Sequence, residues 1–144
     1  MRKLITFALS ILISTICLAG DPKPSESEYV RDLGGGFLVE GGKLKYGMTF
    51  NISDELQRPL FAVVQYQNPK NRKEPLISVF SLESGSELVT QSEEFESAKY
   101  RKTYKIVLEL YSDEEHTQLL ASHKSKVKFN LPPALAKKMG IKLL

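Results

Sequence analysis

The stretch from Tyr104 to Phe129, YKIVLELYSDEEHTQLLASHKSKVKF, holds both histidines of the chain together with four acids and four lysines. Asp113, Glu114, Glu115 and His116 have the donor types of a divalent-metal or acid–base site. Their spacing points elsewhere. Four consecutive side chains in a short connection diverge, and a calcium loop needs oxygen ligands spread over a longer span that contains glycine. The expectation is a solvated turn, with no metal or cofactor.

His123 is a stronger candidate, because the alternation of its segment turns it inward with Leu119, Ala121, Ser125, Val127 and Phe129. Catalysis would require a nucleophile or a carboxylate at hydrogen-bond distance from the ring. Ser84 and Ser86, in ESGSE, lack the glycine-flanked serine and the following helix of a nucleophile elbow. A buried histidine needs only one hydrogen-bond partner, for which Tyr104, Ser125 or a main-chain carbonyl would serve. A small hydrolase or ligand-binding enzyme centred on His123 or His116 is therefore the alternative, and a non-enzymatic protein the expectation.

Lys124, Lys126 and Lys128 recur at every second residue, which on a strand places them in one row about 6 to 7 Å apart. Such a row keeps a sheet face hydrated and discourages edge pairing. It also suits contact with an acidic protein, a glycan carboxylate or an anionic envelope surface. Lys105 joins the row across a hairpin, and the loop residues Lys70, Arg72 and Lys73 extend it if their loop folds to that side. Nucleic acid is the poorest match, because no aromatic residues interleave with the lysines in a recognisable binding motif.

These groups must be positioned by a chain whose first residues set its compartment. Met1, Arg2 and Lys3 precede the apolar run LITFALSILISTICLA, and the chain turns polar at Asp21. That order is the pattern of a secretory signal, expected over residues 1–19, with an uncleaved membrane anchor as the lesser alternative. The expectation is a periplasmic or secreted protein with no membrane span after processing. Cleavage removes Cys17, the one cysteine, so no internal disulfide and no thiolate metal site can form. Without Arg2 and Lys3, eighteen of the twenty basic residues face seventeen acids. The charge is uneven: residues 20–98 hold eight basic and thirteen acidic side chains, residues 99–144 ten and four.

Residues 20–28, with two prolines, two serines and no large apolar side chain, suggest an extended leader. Glycines at 34 to 36 and at 41 and 42 bracket an expected short strand, Phe37 to Glu40. From Lys43 the period is two: Leu44, Tyr46, Met48, Phe50 and Ile52 share one face. Leu60 to Asn68, stopped by Pro69, and Leu76 to Leu82 continue the pattern; LVTQS suggests another short strand, and EEFESAKYRK an irregular piece or one helical turn. Tyr104 to Leu110 and Leu119 to Phe129 predict a hairpin in which Leu110 faces Leu119, Leu108 faces Ala121 and Lys105 faces Lys124. Past the prolines at 132 and 133, Ala134 to Met139 predict a helical turn capped by Gly140.

Roughly seven or eight short strands at this spacing predict a single antiparallel β-sandwich over residues 29–144, immunoglobulin-like or related. About 124 residues suffice for one core that buries roughly two-thirds of the unfolded surface. The expected function is a binding or structural role in the cell envelope, carried by the lysine-rich sheet face and loops. The Asn51-Ile52-Ser53 sequon is left without a role.

Overall fold

The computed structural model describes residues 27–144, so the expected signal segment and most of the leader lie outside the described residues. Nine strands and one short helix follow: β1 (Val30–Glu40), β2 (Lys43–Ile52), β3 (Leu60–Tyr66), β4 (Leu76–Leu82), β5 (Glu87–Val89), β6 (Ser97–Ala98), β7 (Thr103–Tyr111), β8 (Leu119–Lys128), α1 (Pro133–Lys138) and β9 (Lys142–Leu143). They form an all-β sandwich whose two main sheets are antiparallel, ordered β1-β2-β5 and β4-β3-β7-β8. In immunoglobulin notation these are A-B-E and C′-C-F-G. A small parallel pair, β6 with β9, closes one end.

The period of two builds the core directly. In β2 every second residue, from Leu44 to Ile52, is buried; in β3 the same holds for Leu60, Ala62, Val64 and Tyr66. Tyr104, Ile106, Leu108 and Leu110 answer from β7. Each large apolar side chain so enclosed contributes roughly 1.5–3 kcal/mol, which lets the domain hold together without a disulfide. Phe37, Tyr46, Phe95, Tyr104 and Phe129 make an aromatic cluster at one end, with Phe37 stacked on Tyr46 at 4.9 Å. The Tyr104 hydroxyl accepts a hydrogen bond from the Lys99 backbone N–H at 2.9 Å. A tyrosine early in strand F bonding back a few residues upstream is a hallmark of immunoglobulin-type sandwiches. Ile106 stands two residues later, where antibody domains carry a bridge cysteine.

Two expectations need correction. The first strand is not confined to Phe37–Glu40; it runs from Val30 through the glycines, paired with β2 along its length. A bulge at Leu33 shifts its register between Asp32 and Gly34. The bulge changes the phase, so that both Asp32, opposite Phe50, and Phe37, opposite Tyr46, face the same side. Gly35 is required by close approach, since a Cβ there would lie 2.7 Å from Met48 Cε and 2.8 Å from the Gly47 oxygen.

The hairpin is correct in its elements and shifted in its register. Leu110 faces Ala121, Leu108 faces His123 and Lys105 faces Lys126. A second register shift, between Leu110 and Tyr111, turns Leu119 outward, where it is 51% exposed. The segment from Glu93 to Lys102 takes the irregular form, one of the two expected for it; Phe95 bridges back to Leu44, and Ser97–Ala98 pairs with the tail. The tail itself follows expectation, with α1 ending before Gly140 at φ +75° and Ile141 buried.

Candidate functional site

The outer face of the four-stranded sheet gathers the residues singled out by charge. Cross-strand pairing aligns Ile77, Gln65, Val107 and Lys124 in one row and Val79, Val63, Glu109 and Ser122 in the next. On the other side of the first row Lys105 lies opposite Lys126. Gln67 fixes that end of β7, because its side-chain oxygen accepts from the Lys105 N–H at 3.1 Å and its own N–H donates to the Lys105 carbonyl at 2.9 Å. Along the strand direction the face therefore passes from a mixed row, with Val79 and Val63 on the β3–β4 side and Glu109 and Ser122 on the β7–β8 side, to a basic one, with Val107 between them.

Two shallow recesses meet there. One, of about 260 Å³, is lined by Lys105, Val107, Lys124, Ser125 and Lys126. Its neighbour is lined by Gln65, Tyr66, Gln67, Arg72, Pro75, Lys105 and Val107. Lys105 and Val107 belong to both, so Arg72 from the β3–β4 loop and two lysines of β8 surround the same apolar residue. Four cations are held close without a carboxylate among the lining residues, and an acidic group would be attracted there by several charges at once.

The remaining predicted positions do not join this group. Lys128 lies opposite Thr103, farther along the row and exposed. Lys70 turns to Glu96, with Nζ 3.8 Å from the carboxylate. Lys73 is exposed in a turn where its N–H donates to the Asn71 side chain at 3.0 Å. Lys105, expected only as an extension of the row, is the residue the two recesses share.

His123 is 2% exposed and meets a partner that the alternation did not identify. Its Nε2 lies 2.8 Å from Asp32 Oδ1, and the Ser125 hydroxyl donates to the same oxygen at 2.6 Å. A carboxylate only accepts, so Nε2 carries the proton. Nδ1 is buried with no hydrogen-bond partner among the described residues, and the edge of the ring packs on Phe50 at 5.7 Å. Both donors thus converge on one carboxylate oxygen, while the serine hydroxyl is directed to the acid rather than to the imidazole. In a serine–histidine–acid relay the imidazole lies between the other two; here Asp32 does. Chemically the arrangement ties β1 to β8 across the gap between the sheets.

Asp113 acts within its own turn. Its carboxylate accepts from the backbone N–H groups of Thr117 and Gln118 and from the Thr117 hydroxyl. The Thr117 hydroxyl and these amides hold the Asp113 carboxyl below its ordinary range. His116 occupies the left-handed region at φ 57° and rests on the Tyr111 ring at 5.2 Å.

Among the described residues no helix is long and apolar enough to cross a membrane. No family model matches the chain, and no curated protein matches it. Among solved structures the chain is similar to a beta-glucuronidase 2 of Bacteroides uniformis, covalently bound to cyclophellitol-6-carboxylate aziridine, at 11% identity and a TM-score of 0.42. The likeness covers 73% of this chain and 13% of that one, so the chain spans a small part of that enzyme's length.

Proposed function

We propose that this is an exported, non-enzymatic binding protein of the cell envelope, which holds an acidic segment of a protein partner on the outer face of its four-stranded sheet. The observation that carries the proposal is the convergence of Arg72, Lys105, Lys124 and Lys126 on Val107, beside the exposed apolar residues Ile77 and Val79. A face with cations around Val107 and the aliphatic side chains of Ile77, Val79 and Val63 on its β3–β4 side suits a partner that carries both carboxylates and apolar groups. A polypeptide has both, whereas a uronate-type glycan or a lipid headgroup offers mainly charge. The depth of His123 and the arrangement about Asp32 favour a structural use of that histidine.

The test uses three probes: a poly-glutamate peptide with interspersed leucines, a polyuronate, and vesicles containing phosphatidylglycerol. Binding of the processed protein is compared with that of the K105Q/K124Q/K126Q variant. The proposal expects salt-sensitive binding of the peptide in preference to the other two, and at least a tenfold loss in the variant. Equal binding by the variant, or binding of the polyuronate or the vesicles alone, overturns it.

A further inference from the structure

The two ends of the sandwich carry opposite charge. Strand pairing puts residues 40–43, 67–75, 93–102 and 128–144 at one end, with eleven basic and five acidic side chains among them. Residues 27–29, 53–59, 83–87 and 112–118 lie at the other, with one basic side chain and eight acidic ones. The net side-chain charges are +6 and −7. Two of the five acids at the first end are already matched there: Glu40 lies opposite Lys43, and Glu96 is 3.8 Å from Lys70 Nζ. The single base of the second end, Arg58, is held by the main-chain carbonyls of Ser53 and Gly85.

The basic end also exposes large apolar side chains. α1 packs through Ala136, with Ile141 buried just after it, and Leu135 and Met139 are left outside. The Met139 N–H donates to the Leu135 carbonyl at 3.0 Å, so the two stand one helical turn apart on the same side, 45% and 40% exposed. Lys138 follows Leu135 by three residues, Lys137 precedes it and Lys142 lies beyond Met139, and residues 128–144 contain no acidic side chain. A recess of about 300 Å³, whose lining includes Phe37, Val39, Lys128, Phe129 and Leu131, extends this surface to Pro132, where the helix begins.

We infer that the basic end is a peripheral membrane-docking surface, which stands the domain on a bilayer containing anionic phospholipid with Leu135 and Met139 at headgroup depth. The distribution of charge selects this occupant. The cations come from four separate segments spread around one end rather than from a groove, so a flat anionic surface meets them together and a narrow acidic segment does not. The acidic end is repelled by the same surface, which leaves one orientation. Apolar side chains set between lysines suit the interface, since they enter the acyl boundary while the lysine stems lie along it with their ammonium groups among the phosphates. Attachment by two side chains and a screened charge is weak and reversible, and the outer face of the four-stranded sheet stays open for the peptide partner proposed above.

The chain has no tryptophan, so a single one reports its own surroundings. The processed protein carrying L135W, at the basic end, or E115W, at the acidic end, is mixed with phosphatidylcholine vesicles with and without phosphatidylglycerol. L135W emission should shift to shorter wavelength only with phosphatidylglycerol and return on addition of salt, and E115W emission should not move. In co-sedimentation, K137Q/K138Q/K142Q and L135S/M139S should each lower partitioning about tenfold or more, with circular dichroism unchanged because all five side chains lie at the surface. The inference and the proposed function fail separately: K105Q/K124Q/K126Q should lose the acidic peptide and keep the L135W shift, and L135S/M139S should do the reverse. No shift of L135W, an equal shift with phosphatidylcholine alone, a shift of E115W, partitioning indifferent to L135S/M139S, or an L135W shift produced by the acidic peptide in place of the vesicles overturns the inference.

Discussion

The Asp32 carboxyl in β1 accepts a hydrogen bond from His123 Nε2 in β8 at 2.8 Å, which joins the two sheets along one open side of the sandwich. On the opposite side the Ser78 hydroxyl of β4 donates to the Gln91 carbonyl at 3.1 Å, just past β5. Each open side of the core thus has a polar tie between strands that belong to different sheets. Asp32→Ala removes the acceptor for two donors, one of them on a buried ring, and should cost about 1–3 kcal/mol. Asp32→Asn keeps an acceptor oxygen and should cost less. Urea unfolding with an unchanged slope checks both values.

Lys105 lies opposite Lys126 on the outer face, and two like charges directly across a strand pair are destabilising. Lys126→Glu should therefore stabilise the domain by roughly 0.2–1 kcal/mol and at the same time weaken binding of an acidic peptide. A thermal melt and a binding titration on the same variant read the two effects. A fall in both would show that the lysine supports packing instead.

Gly47 and Gly34 provide a contrast within the first sheet. A Cβ at Gly47 would lie 1.9 Å from the Thr90 backbone oxygen, whereas one at Gly34 would meet nothing within 4 Å. Gly47→Ala should force β2 away from the chain after β5 and cost about 3 kcal/mol or more, while Gly34→Ala should stay within about 0.5 kcal/mol of the parent. Denaturant midpoints of the two variants give the comparison.

The Asp113 carboxyl, held below its ordinary range by Thr117 and Gln118, sets a pH dependence. A depressed folded-state value contributes stability above the unfolded value of 3.8, and that contribution is lost as pH falls through the lower folded value. Asp113→Ala should melt below the parent at neutral pH, and the gap should close in acid beneath the ordinary carboxylate range. Melting curves of both proteins across that interval measure it; a gap constant with pH would mean that the turn is stabilised by something other than the charge.

What the sequence revealed depended on whether alternation alone could decide it. From Lys43 onward, one side of each strand is apolar enough that burial follows from spacing, and the buried faces of β2, β3 and β7 are those expected. The β7–β8 register could not be read in the same way. A slip of two residues keeps every side chain on its face, so Leu110 opposite Ala121 and Leu110 opposite Leu119 satisfy the pattern equally. Asp32 was hidden for another reason. It stands just before a phase change at Leu33 and a run of glycines without side chains, where neither period is visible. The basic row was legible as a row, but its meeting with Arg72 depends on how the β3–β4 loop folds, which spacing does not encode.

The most direct measurement of the central claim is a heteronuclear NMR titration of the processed protein with the leucine-containing poly-glutamate peptide. The account predicts saturable, salt-sensitive shift changes concentrated at Arg72, Lys105, Val107, Lys124 and Lys126, with the resonances of β1 and β2 unmoved. Changes centred on the opposite sheet, or none that saturate, would contradict it.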